Sequence, residues 1–268
     1  MEIISAKDNK KVKAARKLLT KKYRKNSYLI EGFHLLEEAL KAGRQVVQIF
    51  VEEGKLEKLG QMTALFADEN SHSLFELEKM LTKNSDKLRI NVVTKDVLKS
   101  LADSDSPQGL IAEVAKIEEW LDFSAAKYLL LENVQDPGNV GTMVRTADAA
   151  GFDGVCLLGE TADPYSPKVM RSMQGSNFHL PVVKMSAETA FAAAKKSGLS
   201  LLTTTLSADS VSHKTVSPSR FALVMGNEGA GVSDLAVEMA DQLVHIDMPG
   251  QAESLNVGVA AGILMFSL

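Results

Sequence analysis

The sequence predicts an α/β protein in which a parallel, doubly wound sheet occupies the C-terminal half and a smaller α/β unit precedes it. Short apolar runs of strand length alternate with helical patterns along the chain, which is typical of a parallel sheet. The run KYLLLENV, at residues 127–134, has no alternating polar face, as in strands that are buried on both sides. With 268 residues, 45% of them hydrophobic and 24% charged, the chain is long enough for one large domain or two ordinary ones.

The first predicted unit spans residues 1–117. We expect strands in the runs NSYLIE, QVVQIFVEE, RINVVT and QGLIAEVA. We expect helices from about Phe33 to Ala42, with Gly43 as the C-cap, in the pattern SLFELEKMLTKN, and from about Lys95 to Leu101. The turn-rich ADSDSPQG and the acidic KIEEW that follows it predict a boundary here, with a second unit over residues 118–268.

The second unit continues the alternation of strands and helices. Strands are predicted in KYLLLENV, GVCLLG, LSLLTTT, RFALVMG and QLVHID. Helices are predicted from about 139 to 151, at 168–173, at 187–196, at 233–239, and in the last apolar segment. No internal repeat interrupts the pattern.

Composition argues against several classes of protein. No apolar run approaches the roughly 20 residues of a membrane span, and MEIISAKDNKK lacks the apolar core of a signal peptide, so we expect a cytoplasmic protein. The single Cys156 lies in an apolar strand, which excludes an internal disulfide and predicts an inert core thiol. The five histidines are scattered and share no ligand spacing with Cys156, so no metal site is expected.

Positive charge is concentrated at the start of the chain. Residues 1–30 contain ten Lys and Arg but only two acids, whereas the other 238 residues contain 20 basic and 32 acidic residues. A basic arm on an acidic protein is typical of a nucleic-acid contact. The alternative is a solvated amphipathic helix, in which Val12, Ala15 and Leu18 form the buried stripe and the lysines cover the other face.

The Gly-rich loop GNEGAGVS, at residues 226–233, follows a strand and precedes a helix, where ligands bind in open α/β sheets. Its spacing matches neither the dinucleotide fingerprint nor the phosphate loop, which also disfavours a nicotinamide-dependent dehydrogenase. The carboxylate of Glu228 would repel a polyphosphate. A cationic or zwitterionic small molecule therefore fits the loop better, and a plain tight turn is the alternative.

The segment NVQDPGNVGTMVRTADAAG, at residues 133–151, places polar groups at the start of a helix. Asp136 begins a turn, Asn139 is a good N-cap, and Arg145 follows almost two turns later. Six residues correspond to about 600° of helix rotation, so Asn139 and Arg145 converge only if Asn139 lies in the turn before the helix. The small and apolar neighbours of Arg145 predict its partial burial, and a surface ion pair is the alternative.

The last segment, GQAESLNVGVAAGILMFSL, combines polar residues with an apolar helix. Ser254 is predicted as the N-cap and Leu255 as the first helical residue. Apolar residues surround the helix axis almost completely, which predicts a buried helix. The sequence contains no signature of a covalent nucleophile.

These three segments, taken in order, resemble the motifs of the SpoU family of RNA ribose methyltransferases, within the SPOUT superfamily. The segment YLIEGFHLLEEALKAG is similar to the small L30e-like substrate-binding domain that many members carry, so the resemblance covers nearly the whole chain. It implies a C-terminal domain tied in a deep trefoil knot, and a homodimer.

The resemblance implies transfer of a methyl group from S-adenosylmethionine to a ribose 2'-hydroxyl of RNA, by direct displacement. It assigns Arg145 and the residues around it to catalysis, which are Asn139, Glu228, Ser254 and Asn256. It assigns the cofactor to Gly226, Ile246 and Leu255, with Thr204 and Thr205 beside them. Arginine is a poor base because guanidinium hardly deprotonates in proteins, so stabilising the alkoxide or holding a phosphate is the expected role of Arg145.

The L30e-like domain favours ribosomal RNA, in particular 23S rRNA, over transfer RNA as the substrate. A non-catalytic RNA-binding or ribosome-assembly factor on the same fold is the alternative, and the retained site residues argue against it. One position departs from the family motif, because Asp247 stands where proline is usual. This carboxylate either changes cofactor affinity or points to solvent.

Overall fold

A computed structural model describes residues 2–64 and 89–268, so the helical pattern predicted in SLFELEKMLTKN lies outside the described residues. The strands are β1 (Ser27–Glu31), β2 (Val46–Glu52), β3 (Arg89–Val93), β4 (Leu110–Ala115), β5 (Lys127–Glu132), β6 (Gly154–Leu158), β7 (Val182–Met185), β8 (Ser200–Thr204), β9 (Val211–Ser212), β10 (Phe221–Met225) and β11 (Gln242–His245). The helices are α1 (Lys10–Lys17), α2 (Phe33–Lys41), α3 (Leu56–Ala64), α4 (Lys95–Lys99), α5 (Pro137–Ala149), α6 (Pro167–Met173), α7 (Ala187–Lys196), α8 (Asp234–Met239) and α9 (Val257–Ser267).

The described chain separates into two compact units. The first contains the residues up to 117 together with 165–178, and the second contains 118–164 and 179–268. Residues 165–178 are attached to the first unit by Tyr165, whose ring centroid lies 4.7 Å from that of Tyr28 and 3.9 Å from the ammonium of Lys116. The sequence pattern gave no sign of this attachment.

The first unit contains a mixed sheet with the strand order β1-β4-β2-β3. Strand β4 is antiparallel to β1 and β2, and β2 is parallel to β3. Helix α1 is amphipathic as predicted: Val12 and Ala15 are fully buried and pack in one core with Phe50, Val93 and Leu98. The burial of this stripe leaves the lysines of α1 on the outer face.

The second unit contains a seven-stranded sheet with the order β7-β6-β5-β10-β8-β11-β9, and every neighbouring pair is parallel. The predicted fold class is confirmed. Every residue of β6 and β10 is buried, and a fully buried Leu or Val contributes about 1.5–3 kcal/mol. Helices α7 and α8 cover one face, where Phe191 and Ala236 pack on Leu130 and Val224. Because the strands are parallel, the loops after β5, β8, β10 and β11 leave the same edge of the sheet.

Two predicted helix starts are wrong. Helix α5 begins at Pro137 with Asp136 as its N-cap, and Asp136 Oδ1 accepts a hydrogen bond from the Asn139 N–H at 2.8 Å. Proline suits the first helical position, and the residue before it favours extended backbone, which moves the cap from Asn139 to Asp136. Helix α9 begins at Val257 with Asn256, not Ser254, as its N-cap.

The prediction that α9 is buried all round is also wrong for the single chain. Ala261 and Leu264 are buried, but Val259, Ile263 and Phe266 are 54%, 37% and 67% exposed. These three residues lie at helical spacing on one side of α9, and we call them the exposed apolar face. A single chain covers only the other side of this helix.

Two further observations concern the composition. Cys156 is fully buried, and desolvation raises the pKa of its thiol to about 12, which confirms an inert core residue. Within the described ranges, no helix combines the length and the hydropathy that crossing a bilayer requires.

Candidate active site

A cavity of about 490 Å³ lies where the loops after β8, β10 and β11 meet the start of α9. This volume is within the range of small-molecule sites, about 300–1,000 Å³. All five residues predicted to contact a cofactor line it, together with two of those predicted for catalysis: Thr204, Thr205, Gly226, Ile246, Leu255, Glu228 and Ser254. The parallel sheet therefore brings segments that are far apart in the sequence to one place.

The loop after β10 forms one wall of the cavity. The Asn227 side chain fixes its shape, because Oδ1 accepts hydrogen bonds from the N–H groups of Gly229 and Ala230, both at 2.9 Å. Asn227 Nδ2 also donates to the carbonyl of Asn133 at 2.8 Å. Sequence reasoning missed Asn227, although an Asn two residues before a Gly is a signal of an Asx-turn.

Position 226 must be a glycine, because the loop leaves no space for a side chain there. A Cβ at this position would lie 2.4 Å from the carbonyl carbon and oxygen of Gly231 and 2.5 Å from the Val232 nitrogen. These are backbone atoms, so no side-chain rotation can make room. The absence of a side chain allows the end of β10 and the returning loop to pack closely beside the cavity.

A chain of hydrogen bonds joins the three sequence motifs. Asn139 Nδ2 donates to Glu228 Oε1 at 3.0 Å, and Asn256 Nδ2 donates to Asn139 Oδ1 at 3.2 Å. Asn256 Oδ1 in turn accepts from the N–H groups of Gly258 and Val259 at 2.9 and 3.2 Å. The residue that begins α9 is therefore also linked, through Asn139, to the Gly-rich loop.

Glu228 remains ionised at this position. Desolvation acts to raise its pKa, but hydrogen bonds outweigh it and hold the pKa below the ordinary 4.5. The donors are Asn139 Nδ2 and backbone N–H groups, among them those of Asp136 and Gln135 at 3.2 and 3.4 Å. A carboxylate with a lowered pKa is a weak base at neutral pH and a good acceptor that orients its partners.

Ser254 and Leu255 have no hydrogen-bond partner among the described residues, and both line the cavity. Their peptide groups and the Ser254 hydroxyl are therefore free to bind a polar ligand. Polar groups of this kind, set among apolar side chains, orient a small molecule in its site.

Arg145 lies on α5 and is exposed, so the predicted partial burial is wrong. It does not line the cavity, and it forms no hydrogen bond or ion pair within the described chain. Asn139 lies in the first turn of α5, so the convergence with Arg145 that required Asn139 to precede the helix does not occur. Arg145 is thus a free cation on a helix whose first turn reaches Glu228.

Asp247 points away from the cavity, which its chain neighbours Ile246 and Met248 line. Its Oδ2 accepts a hydrogen bond from the Ser212 hydroxyl at 2.7 Å and lies 3.1 Å from the Lys214 ammonium. The bond from Ser212, then that from Lys214, holds the pKa of Asp247 below its ordinary value. Asp247 therefore fastens the end of β11 to the segment of the edge strand β9.

No cluster of three or more His, Cys, Asp or Glu with the arrangement of a metal site occurs in the part of the chain that the structure describes. The features that converge at this site are instead a cavity with both polar and apolar walls, free peptide groups and one carboxylate.

Comparison with known proteins identifies relatives of both units. Residues 126–266 match the SpoU rRNA Methylase family, and residues 9–112 match the MRM3-like substrate binding domain. The chain is 38% identical over 270 residues to the 23S rRNA (guanosine(2553)-2'-O)-methyltransferase RlmP of Bacillus subtilis (strain 168), an alignment that covers 100% of this chain and 99% of that protein.

Solved structures agree with these matches. The AdoMet-bound rRNA methyltransferase from Sinorhizobium meliloti superposes with a TM-score of 0.82 at 29% identity, covering 99% of this chain and 96% of that one. A structure described as an RNA 2'-O ribose methyltransferase superposes with a TM-score of 0.77 at 31% identity, covering 99% and 97%.

Proposed function

Because the chain belongs to the SpoU rRNA methylase family, and is thereby an S-adenosylmethionine-dependent RNA methyltransferase, we propose that it methylates a ribose 2'-hydroxyl of 23S rRNA. The observation that carries the proposal is the hydrogen-bonded chain Glu228–Asn139–Asn256, which joins three distant motifs beside one cavity. The relative from Bacillus subtilis, whose name specifies 23S rRNA, aligns over the whole chain and supports this choice of RNA.

The cavity fits the cofactor. Free peptide and hydroxyl groups at Ser254 and Leu255, and the close backbone approach at Gly226, suit a zwitterionic ligand with many polar atoms. Gly226, Ile246 and Leu255 would hold it, with Thr204 and Thr205 beside them. When bound, S-adenosylmethionine supplies a methyl group activated by its positive sulfonium. The ionised Glu228 at the cavity wall adds favourable electrostatics for that charge.

The residues of the protein act by positioning and by charge, since direct displacement needs no protein nucleophile. Glu228 holds the Asn139 amide in one orientation, and Asn139 does the same for Asn256. The lowered pKa makes Glu228 a poor acceptor for the ribose proton. These three groups and Ser254 fix the ribose, which keeps the reacting atoms at the distance that the displacement requires.

Arg145 supplies positive charge. It is exposed and has no acidic partner in the described chain, so its guanidinium is available to RNA. Because guanidinium stays protonated and Arg145 lies outside the cavity of its own chain, it holds a phosphate of the RNA next to the reacting ribose and does not act as a base. Arg145→Ala is expected to lower methyl transfer at least 100-fold and to leave cofactor affinity unchanged.

We also infer a cytoplasmic homodimer with a knotted second domain and an RNA-binding first domain. The exposed apolar face of α9 supports the dimer, because large apolar side chains on one helix side favour burial against a second copy. Phe266→Asp should shift the protein from dimer to monomer in sedimentation or light scattering. If the native protein sediments as a monomer, the dimer is excluded.

Methyl transfer tests the function. The protein is incubated with methyl-labelled cofactor and with 23S rRNA, 16S rRNA or tRNA made by transcription, which carry no modification. We expect label in 23S rRNA alone, in an alkali-resistant dinucleotide that marks a methylated ribose, and mapping then shows whether the site corresponds to guanosine 2553. Label only in tRNA would replace the substrate, and no label in any RNA, with cofactor binding intact, would refute the catalytic proposal.

A further inference from the structure

Eight lysines near the start of the chain share two properties: all are exposed, and none forms an ion pair in the described chain. They are Lys7, Lys10, Lys11, Lys13, Lys17, Lys21, Lys22 and Lys25. We call them the lysine surface. Elsewhere in the same unit, Lys41 lies 2.9 Å from both Glu37 and Glu38, as expected of a lysine on a solvated helix. Helix α1 contains no acid, so its charges repel one another without compensation.

The two arginines of this region have structural roles, and the Lys11 ammonium also donates a hydrogen bond within the unit, to Asn91 Oδ1 at 2.9 Å. Arg16 donates to the carbonyl and hydroxyl oxygens of Ser100 at 3.1 and 2.7 Å. Arg24 is buried and donates to the carbonyls of Leu18 and Leu19, both at 2.8 Å, which satisfies the end of α1. These bonds hold α1 and the turn after it in a fixed shape, so the lysines are presented on a rigid support.

An exposed aromatic ring lies within the lysine surface. Tyr23 is 43% exposed, and the ammonium groups of Lys17 and Lys22 lie 5.7 and 4.8 Å from its ring centroid. Lysines that follow a backbone, combined with an aromatic ring on which a base stacks, are the features by which proteins bind single-stranded nucleic acid. An acidic protein partner would bind the lysines through ionic contacts, and an exposed aromatic ring would add nothing to those contacts.

We propose that the lysine surface binds the sugar–phosphate backbone of the substrate RNA and that Tyr23 stacks on an unpaired base beside it. This inference rests on the proposed function, since it identifies the part of the chain that holds RNA away from the reacting ribose. The lysines contribute affinity and salt dependence, and the ring favours a looped or single-stranded element over a regular duplex.

The first test removes charge. The variant Lys21→Ala/Lys22→Ala/Lys25→Ala changes residues outside α1. Lys21 and Lys22 lie in the short 3-10 turn Lys21–Tyr23, which is held by backbone hydrogen bonds that alanine retains. We expect KM for 23S rRNA to rise about ten-fold or more. A plot of log affinity against log salt concentration has a negative slope, and its magnitude should decrease by about 2, since each of the three lost phosphate contacts accounts for about 0.7. The kcat and the affinity for S-adenosylhomocysteine should stay at the wild-type values.

The control is Lys184→Ala/Lys195→Ala/Lys196→Ala, which removes the same number of positive charges from exposed lysines of the second unit; one of them, Lys195, lies 3.2 Å from Asp241. An equal loss of RNA affinity in the control would mean that net charge alone matters, and would overturn the proposal. An unchanged KM and salt slope in the first variant, with methyl transfer intact, would overturn it and leave the proposed function standing. If the wild type transferred no methyl group, RNA affinity by fluorescence anisotropy would still test the surface.

The second test concerns the ring. Tyr23→Ala should weaken binding of a labelled single-stranded oligouridylate about 5- to 100-fold, and Tyr23→Phe should bind like the wild type. A duplex RNA of equal charge should lose much less affinity in Tyr23→Ala. Equal affinities of Tyr23→Ala and wild type for the oligouridylate would refute the stacking role.

Discussion

Gly226→Ala is a single methyl substitution at the cavity wall, and its effect can be worked out from the structure. The new Cβ would lie 2.4 Å from backbone atoms of Gly231, whereas ordinary contact begins at 3.4 Å. The returning loop must therefore move by roughly 1 Å, and overpacking of this kind costs about 1–3 kcal/mol. For a unit of this size we expect the thermal midpoint to fall by about 2–4 °C for each kcal/mol.

The same displacement moves the cavity wall, so it should affect the chemistry more than the stability. A misplacement of about 1 Å can reduce a reaction rate about 100-fold. We expect methyl transfer to fall by about that factor and the affinity for S-adenosylhomocysteine, measured by calorimetry, to fall with it. Melting followed by circular dichroism separates this local effect from global unfolding.

The matched control is Gly229→Ala in the same loop. Its Cβ would meet only Asn227 Oδ1, at 3.7 Å, which is ordinary contact. We expect this variant to bind S-adenosylhomocysteine with the wild-type affinity. If Gly226→Ala and Gly229→Ala bind with equal affinity, the close packing of the loop does not shape the cofactor site, and the reasoning is wrong.

Three further predictions concern the surroundings of the site. Gly262→Ala should raise stability by about 0.5–1 kcal/mol in chemical unfolding, because its Cβ would meet Thr146 Cγ2 at 3.8 Å and alanine favours the helix; a loss would show that α5 and α9 pack more tightly. Asn139→Ala removes the hydrogen bonds at 3.0 and 3.2 Å, so it should cost about 1 kcal/mol in unfolding but more than ten-fold in single-turnover methyl transfer; a normal rate would exclude a positioning role. The lowered pKa of Glu228 means that its charge stabilises the fold above its unfolded pKa, and that this stabilisation is lost as the pH falls through its folded pKa. The difference in unfolding free energy between the wild type and Glu228→Gln should therefore be constant near neutral pH and shrink below about pH 4.5. A difference that is the same at all pH values would contradict the assignment.

The centre of the sheet was predictable because β5, β6 and β10 are apolar on both faces. The predicted strands β5, β6, β8, β10 and β11 are confirmed, whereas the shorter and more exposed β7 and β9 were not predicted. The caps were not, because Asp136 and Asn139, like Ser254 and Asn256, are both good N-caps and lie within three residues of each other. Only the surrounding chain decides between them. Pro137 favours Asp136 as the first cap, and the hydrogen bond from Asn256 Nδ2 to Asn139 Oδ1 favours Asn256 as the second. Propensity alone carries no information on such contacts.

The site itself became predictable through the resemblance of three motifs, not through periodicity. That resemblance located the cavity residues, and it gave no indication of Asn227, whose role depends on a loop conformation. It also gave no reason for Asp247, whose bonds to Ser212 and Lys214 require two segments more than thirty residues apart to meet. The exposure of Arg145 was missed because small neighbours indicate a buried helix side without fixing which residue faces it.

Asn256 also has a consequence for the order in which the protein matures during synthesis. One amide begins the last helix and reaches Asn139, which leaves the ribosome more than a hundred residues earlier. A nascent chain therefore has no complete pocket until residue 264, the last residue that lines the cavity, has emerged, although domains generally fold in order from the N-terminus. Folding of the first unit is also delayed, because it includes residues 165–178, which are synthesised after part of the second unit. A ribosome-bound chain stalled before residue 256 should consequently be unable to retain the cofactor, which separates translation from catalytic competence in time.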